Sequence, residues 1–145
     1  MRSPRSPRHS APGASSFVLL DYETANPDPD MDLKEVGAAK YAKHWATEIL
    51  CLVWGYNGSA PHVWTPAERD KEDLLRELAA DPKCMFVRHG DFEHYIWQEI
   101  MVAEFGFPPI PIERWEDTQA TCTIRSLPVG LENALLVLRL PGKDM

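Results

Sequence analysis

The chain has 145 residues, 44% of them apolar, which is enough for one packed domain. It contains no run of 18 apolar residues, which excludes a membrane-spanning helix. Cys51, Cys84 and Cys122 are scattered, odd in number and without a CxxC pair, which argues against a disulfide scaffold or zinc site and for a reducing compartment. The formal charge of −7 is unevenly spread: residues 1–16 hold three arginines and no acid, leaving 12 bases against 22 acids. That balance disfavours broad electrostatic attachment to nucleic acid but not an acidic site that holds cations.

Met1–Ser16 is rich in Arg, Ser and Pro and has no apolar periodicity, so it is expected to be a disordered leader. It lacks the apolar stretch of a secretory signal, and its prolines would break the amphipathic helix of a transit peptide. The domain is therefore expected over residues 17–145. Phe17-Val18-Leu19-Leu20 runs directly into Asp21-Tyr22-Glu23-Thr24 and reads as a buried strand ending in acids. An Asn/Pro/Asp loop follows, then a short helix over Ala38–His44 and a second buried strand over Glu48–Tyr56. Asn57-Gly58 signals a type I′ turn, and Pro61–Trp64 returns as a third strand, completing an antiparallel meander.

Thr65-Pro66-Ala67-Glu68 has the form of a capped helix start, which predicts a helix from there to Ala80. Cys84–Val87 is a fourth strand, and a helix with Phe92, Ile96, Ile100 and Ala103 along one stripe runs from Phe92 to Phe105. Ile110–Trp115 reads as extended. Asp117 or Thr118 opens a helix through Arg125, and Leu131–Leu138 is a final helical pattern. Together these elements predict an α/β domain with a mixed sheet and flanking helices.

Alternate side chains of a strand share a face, so Asp21 and Glu23 point the same way, roughly 7 Å apart at Cα. Two unit charges about 4 Å apart repel by about 4 kcal/mol at an effective dielectric of about 20. A hard divalent cation, Mg²⁺ or Mn²⁺, removes that cost in an all-oxygen site. Glu93 stands in the first turn of a helix just after the fourth strand, where the helix dipole favours an anion, and Asp117 opens a helix in the same way. Asp21, Glu23, Glu93 and Asp117 together suit two-metal phosphodiester hydrolysis. Each also has a simpler reading, as a solvated strand end or a helix cap.

Asp21-Tyr22-Glu23-Thr24 resembles the first motif (D-x-E-T) of proofreading 3′–5′ exonucleases of bacteriophage-type, polymerase-I-like (family A) DNA polymerases. Asp32–Gly37, Tyr41–His44 and Glu48–Leu50 follow in the order of that family. Phe92-Glu93 with Ile96-Trp97 resembles its second motif. Trp115–Ala120, Leu127-Pro128, Leu131 and Gly142-Lys143-Asp144 continue the likeness, which spans about Phe17 to Met145. The resemblance implies a ribonuclease-H-like fold, with Asp21, Glu23 and Glu93 binding two Mg²⁺ or Mn²⁺ ions and Thr24, His89 and Phe92 meeting the DNA 3′ end. It also implies a polymerase domain fused downstream and residence in the cytoplasm of a bacterial or phage-infected cell. Two departures stand out. His89 occupies the place where the family carries Asn, and Met145 is reached before the third motif, a Tyr or His followed by a metal-binding Asp. The expectation is thus the amino-terminal portion of an exonuclease domain, incomplete at its C-terminus. The alternative is a catalytically incomplete nucleic-acid-binding remnant of the same fold, and an endonuclease of that fold is a further one. The five tryptophans could stack bases, but most lie in predicted elements and are expected in the core.

Overall fold

The computed structural model describes residues 16–126, 133 and 136–139. Five strands form one mixed sheet: β1 (Phe17–Ala25), β2 (Glu48–Tyr56), β3 (His62–Trp64), β4 (Met85–Arg88) and β5 (Trp115–Asp117), in the order β3-β2-β1-β4-β5. The expected meander is present, because β1 pairs antiparallel with β2 and β2 with β3. β4 adds parallel to β1 on its other side, and β5 adds parallel to β4. Asn57 and Gly58 take φ values of 45° and 74°, as a type I′ turn requires, and Asn57 Oδ1 accepts from the Phe17 backbone N–H at 2.8 Å. The expected leader falls outside the described residues except for Ser16, and half of the residues of the helix expected over Leu131–Leu138 fall outside them.

The helices are α1 (Leu33–Val36), α2 (Ala38–Lys43), α3 (Glu72–Ala80), α4 (Phe92–Ile96) and α5 (Thr118–Ile124). One face of the sheet carries the core. Val18, Leu20 and Tyr22 of β1 join Leu52, Trp54, Trp64, Phe86 and Trp115 from the other strands, packed with Leu75 and Leu78 of α3 and with Ile96. Burying each such side chain stabilises the fold by about 1.5–3 kcal/mol. The alternate residues of β1 behave differently: Phe17 and Leu19 remain 37% and 49% exposed. The apolar run is thus buried on one side only.

Three elements depart from expectation. Thr65 does accept from the Glu68 N–H at 2.7 Å, but its own N–H donates back to the Glu68 carbonyl at 2.6 Å. This reciprocal pair closes a tight turn, Trp64 bridges to Arg69, and Lys71 at φ 55° redirects the chain before α3 begins. The cap forms without the helix. The helix after β4 is α-helical only over α4 and continues as a π turn over Trp97–Val102. The wider turn rotates the stripe, so Trp97, Ile100 and Met101 are buried while Ala103 is exposed. Finally, Ile110–Trp115 is not simply extended: a 3₁₀ turn at Ile112–Arg114 leads into β5, which propensity did not announce.

Candidate functional site

Asp21, at the middle of β1, and Glu23, two residues on, project from its exposed face, where Val53 and Cys51 of β2 lie opposite them; the strand runs past the acids to Ala25. Immediately beyond, the register jumps: Glu23 faces Cys51 and Thr24 faces Ile49, which leaves Leu50 as the extra residue of a bulge. A bulge bends and twists the strand locally, so the strand end beyond the acids is re-aimed relative to the rest of the sheet.

Glu93 approaches from the first turn of α4, which packs against β1. Burial raises its carboxyl above the usual carboxylate range, and the charge of Asp21 raises it further; the backbone N–H groups of Glu93 and His89 and the charge of His89 oppose this. Glu93 Oε2 is buried with no hydrogen-bond partner, and so is the hydroxyl of Tyr22, the residue between the two strand acids. Burial, then the Glu93 charge, holds that phenol well above its ordinary range. Two orphaned buried oxygens beside an acid pair are unusual, since buried polar atoms are nearly always paired. An all-oxygen environment of this kind fits a hard divalent cation. Among the described residues, no three His, Cys, Asp or Glu side chains gather closely enough to hold a metal ion between them. Asp21 and Glu93 therefore come within electrostatic reach of each other, short of the three-acid convergence expected of Asp21, Glu23 and Glu93.

The residues expected around a nucleotide are tied together by α2. Thr24 Oγ1 lies 3.0 Å from the Tyr41 hydroxyl, and the Tyr41 ring packs against Phe92 with centroids 6.3 Å apart. His89 Nδ1 lies 2.8 Å from Thr118 Oγ1, which in turn donates to the Arg88 carbonyl. Asp117, the fourth acid expected at the site, is bound into the backbone around it. Its Oδ1 accepts from the N–H groups of both Gly90 and Gln119 at 2.9 Å, capping α5 and pinning the turn after β4. Burial pushes its carboxyl up, but those N–H groups, that of Ala120 and the Arg88 guanidinium outweigh burial and hold it below its ordinary value. Gly90 is required at this turn: its φ is 87°, and a Cβ there would stand 3.1 Å from Gln119 Oε1.

Three contributors were not singled out from sequence. Tyr41 links Thr24 to Phe92, and its only signal was its place in the Tyr41-Ala42-Lys43-His44 run. Arg88, nearly buried, ties Gly90, Asp91 and Asp117 to the end of β4. Arg114 is buried and donates to the carbonyls of Cys84, Ala79 and Leu78, closing the C-terminal end of α3. An Arg set between Glu113 and Trp115 reads as a surface charge and gives no sign of this. An apolar cavity of about 340 Å³, lined by His94, Trp97, Val102, Ile110 and Pro111, contains none of the acids.

No family model matches the chain, and no curated protein matches it. No helix among the described residues is long and apolar enough to cross a membrane.

Proposed function

We propose that the chain has a ribonuclease-H-like fold and is the amino-terminal portion of a metal-dependent 3′–5′ exonuclease domain of a phage-type DNA polymerase. The observation that carries this reading is the buried Glu93 carboxylate, one oxygen unpartnered, within electrostatic reach of Asp21 on the central strand. The strand order and directions suit the fold, with an antiparallel meander followed by two parallel additions. On this reading Asp21, Glu23 and Glu93 hold Mg²⁺ or Mn²⁺, whose chemistry when bound is to make hydroxide available at neutral pH and to stabilise the leaving oxygen. The substrate is the single-stranded or frayed 3′ end of DNA, and a polymerase domain downstream in the cytoplasm of a bacterial or phage-infected cell is its natural partner.

The chain's own residues have definable parts. Thr24, Tyr41 and Phe92 form a bonded and packed floor next to the acids, a surface on which a terminal sugar and base can be oriented. The backbone N–H of His89 holds the Glu93 carboxyl in place. Asp117 and Arg88 act one step back, fixing the turn from which Glu93 projects.

A second reading, a nucleic-acid-binding remnant, is favoured by one observation: no three metal-ligating side chains come together among the described residues. A 5′-labelled single-stranded DNA in Mn²⁺ separates the two. The first reading expects slow stepwise shortening at most from these 145 residues, and brisk 3′ shortening that Asp21→Ala abolishes from a chain extended through a third-motif Asp. Retained DNA binding without shortening by the extended chain, unchanged by Asp21→Ala, selects the remnant. Neither binding nor shortening overturns both.

A further inference from the structure

Four of the five tryptophans are core residues: Trp54, Trp64, Trp97 and Trp115 are at most 6% exposed. Trp45 is 88% exposed. Tryptophan is highly buried on average, so a nearly bare indole stands out against the other four. It is not on a loose segment. Trp45 follows α2 directly, and the residues on either side of it are bound to the loop that leaves the acid-bearing strand.

His44 Nδ1 accepts from the Ala46 backbone N–H at 3.2 Å and lies 2.9 Å from Asn26 Nδ2. With Nδ1 accepting, the ring proton sits on Nε2, which faces Asp28 Oδ2 at 3.3 Å. Thr47 donates its N–H to the His44 carbonyl at 3.1 Å and its hydroxyl to the Tyr41 carbonyl at 2.6 Å, while accepting from Asn26 at 2.8 Å. Asn26 follows β1 directly, so this network fastens the residues around Trp45 to the end of the strand that carries Asp21 and Glu23. The indole also lies against the His44 ring, with centroids 5.7 Å apart.

The charge of α2 itself runs against that of the whole chain, while the Asp28 carboxylate faces His44 beside Trp45. α2 contains Lys40 and Lys43, both exposed, and no acid, although the chain as a whole has a formal charge of −7. Lys40 and Lys43 are three apart on a helix and therefore neighbours on its surface. Two exposed cations on the helix that precedes a fixed, exposed indole match the two chemical features of a single strand, its phosphates and its base faces. We infer that Trp45 is a stacking platform for an unpaired nucleobase of the strand whose 3′ end meets Asp21 and Glu93, with Lys40 and Lys43 attending the adjacent phosphates. The inference rests on the nucleic-acid reading proposed above and adds a contact outside the acid cluster.

The test is fluorescence anisotropy of a 5′-fluorescein oligothymidylate in Ca²⁺, comparing the unaltered protein with Trp45→Ala and Trp45→Phe, alongside an oligonucleotide of abasic sugar-phosphate units. Trp45→Ala is expected to bind the oligothymidylate roughly 5- to 100-fold more weakly, and Trp45→Phe to keep most of the affinity. On the abasic strand the unaltered protein and Trp45→Ala should bind equally, because no base is left to stack; a merely structural role for Trp45 would weaken both ligands alike. Equal binding of the oligothymidylate by the unaltered protein and Trp45→Ala overturns the stacking role and leaves the nucleic-acid reading intact. Failure of the unaltered protein to bind either strand overturns that reading and the inference with it.

Discussion

The two faces of the sheet are built from the same strands by the same alternation, yet they have different fates. On the inner face Val18, Leu20, Leu52, Trp54 and Phe86 are at most 7% exposed. On the outer face Leu19, Val53 and Val63 stand at 49%, 37% and 48%, and the same rows carry Asp21 and Glu23. The inner face is a jigsaw of aromatic rings: Trp97 packs edge-on against Phe107 and Trp115, and Phe86 lies 5.3 Å from Trp97 between centroids. The outer face has room for charge because little presses on it. Carboxylates on a central strand are thus tolerable where the face they occupy is open, whereas the Glu93 carboxylate, buried on α4, bears the desolvation.

The comparison breaks first if the inner face proves soft. Trp97→Ala should lower stability by about 3–5 kcal/mol in urea unfolding, since a fully buried ring is lost together with its N–H bond to the Pro108 carbonyl. A loss below about 1 kcal/mol would mean that the aromatic cluster does not carry the core. Next in size, Arg114→Met should cost about 3 kcal/mol by the same measurement, because the carbonyls of Cys84, Ala79 and Leu78 lose their donor together.

Glu93 and Asp117 respond to pH in opposite senses. The Glu93 carboxyl is raised in the folded protein, so between the ordinary carboxylate value and the raised one the folded state binds more protons than the unfolded state. Stability attributable to Glu93 should therefore fall as pH rises through that window, and Glu93→Gln should remove the fall. Asp117 is depressed, so its contribution is present above the ordinary value and is lost as pH falls through the depressed one; Asp117→Asn should flatten that acid limb. Urea midpoints taken from about pH 2 to about pH 7 measure both, and slopes of the opposite sign would refute the assignment. The smallest effect is reserved for the outer face. Leu19→Ser should change stability by less than about 1 kcal/mol, and a loss comparable to that of Trp97→Ala would show that the outer face is covered in solution.

Much of the local structure could be read from residues alone, because it depends on near neighbours. The alternation and β-branching around Val18–Tyr22 and Ile49–Trp54, the positive φ that Asn57-Gly58 accepts, and the cap that Asp117 provides for α5 are all local preferences, and the structure meets each of them. The placement of β4 beside β1, which carries Glu93 toward Asp21, is not among them. Tertiary contacts decided the rest. Whether Thr65 caps a helix or closes a turn depended on its pairing with Glu68, and where the stripe after Phe92 faces depended on one π turn. β5 exists because β4 offers an edge to a three-residue segment too short to signal itself. The spacing could not tell which of five tryptophans would be left in water, since burial belongs to the space a neighbour fills rather than to the side chain that fills it. How closely Asp21, Glu23 and Glu93 approach one another is settled the same way, by a bulge and a helix packing that no single stretch of residues encodes.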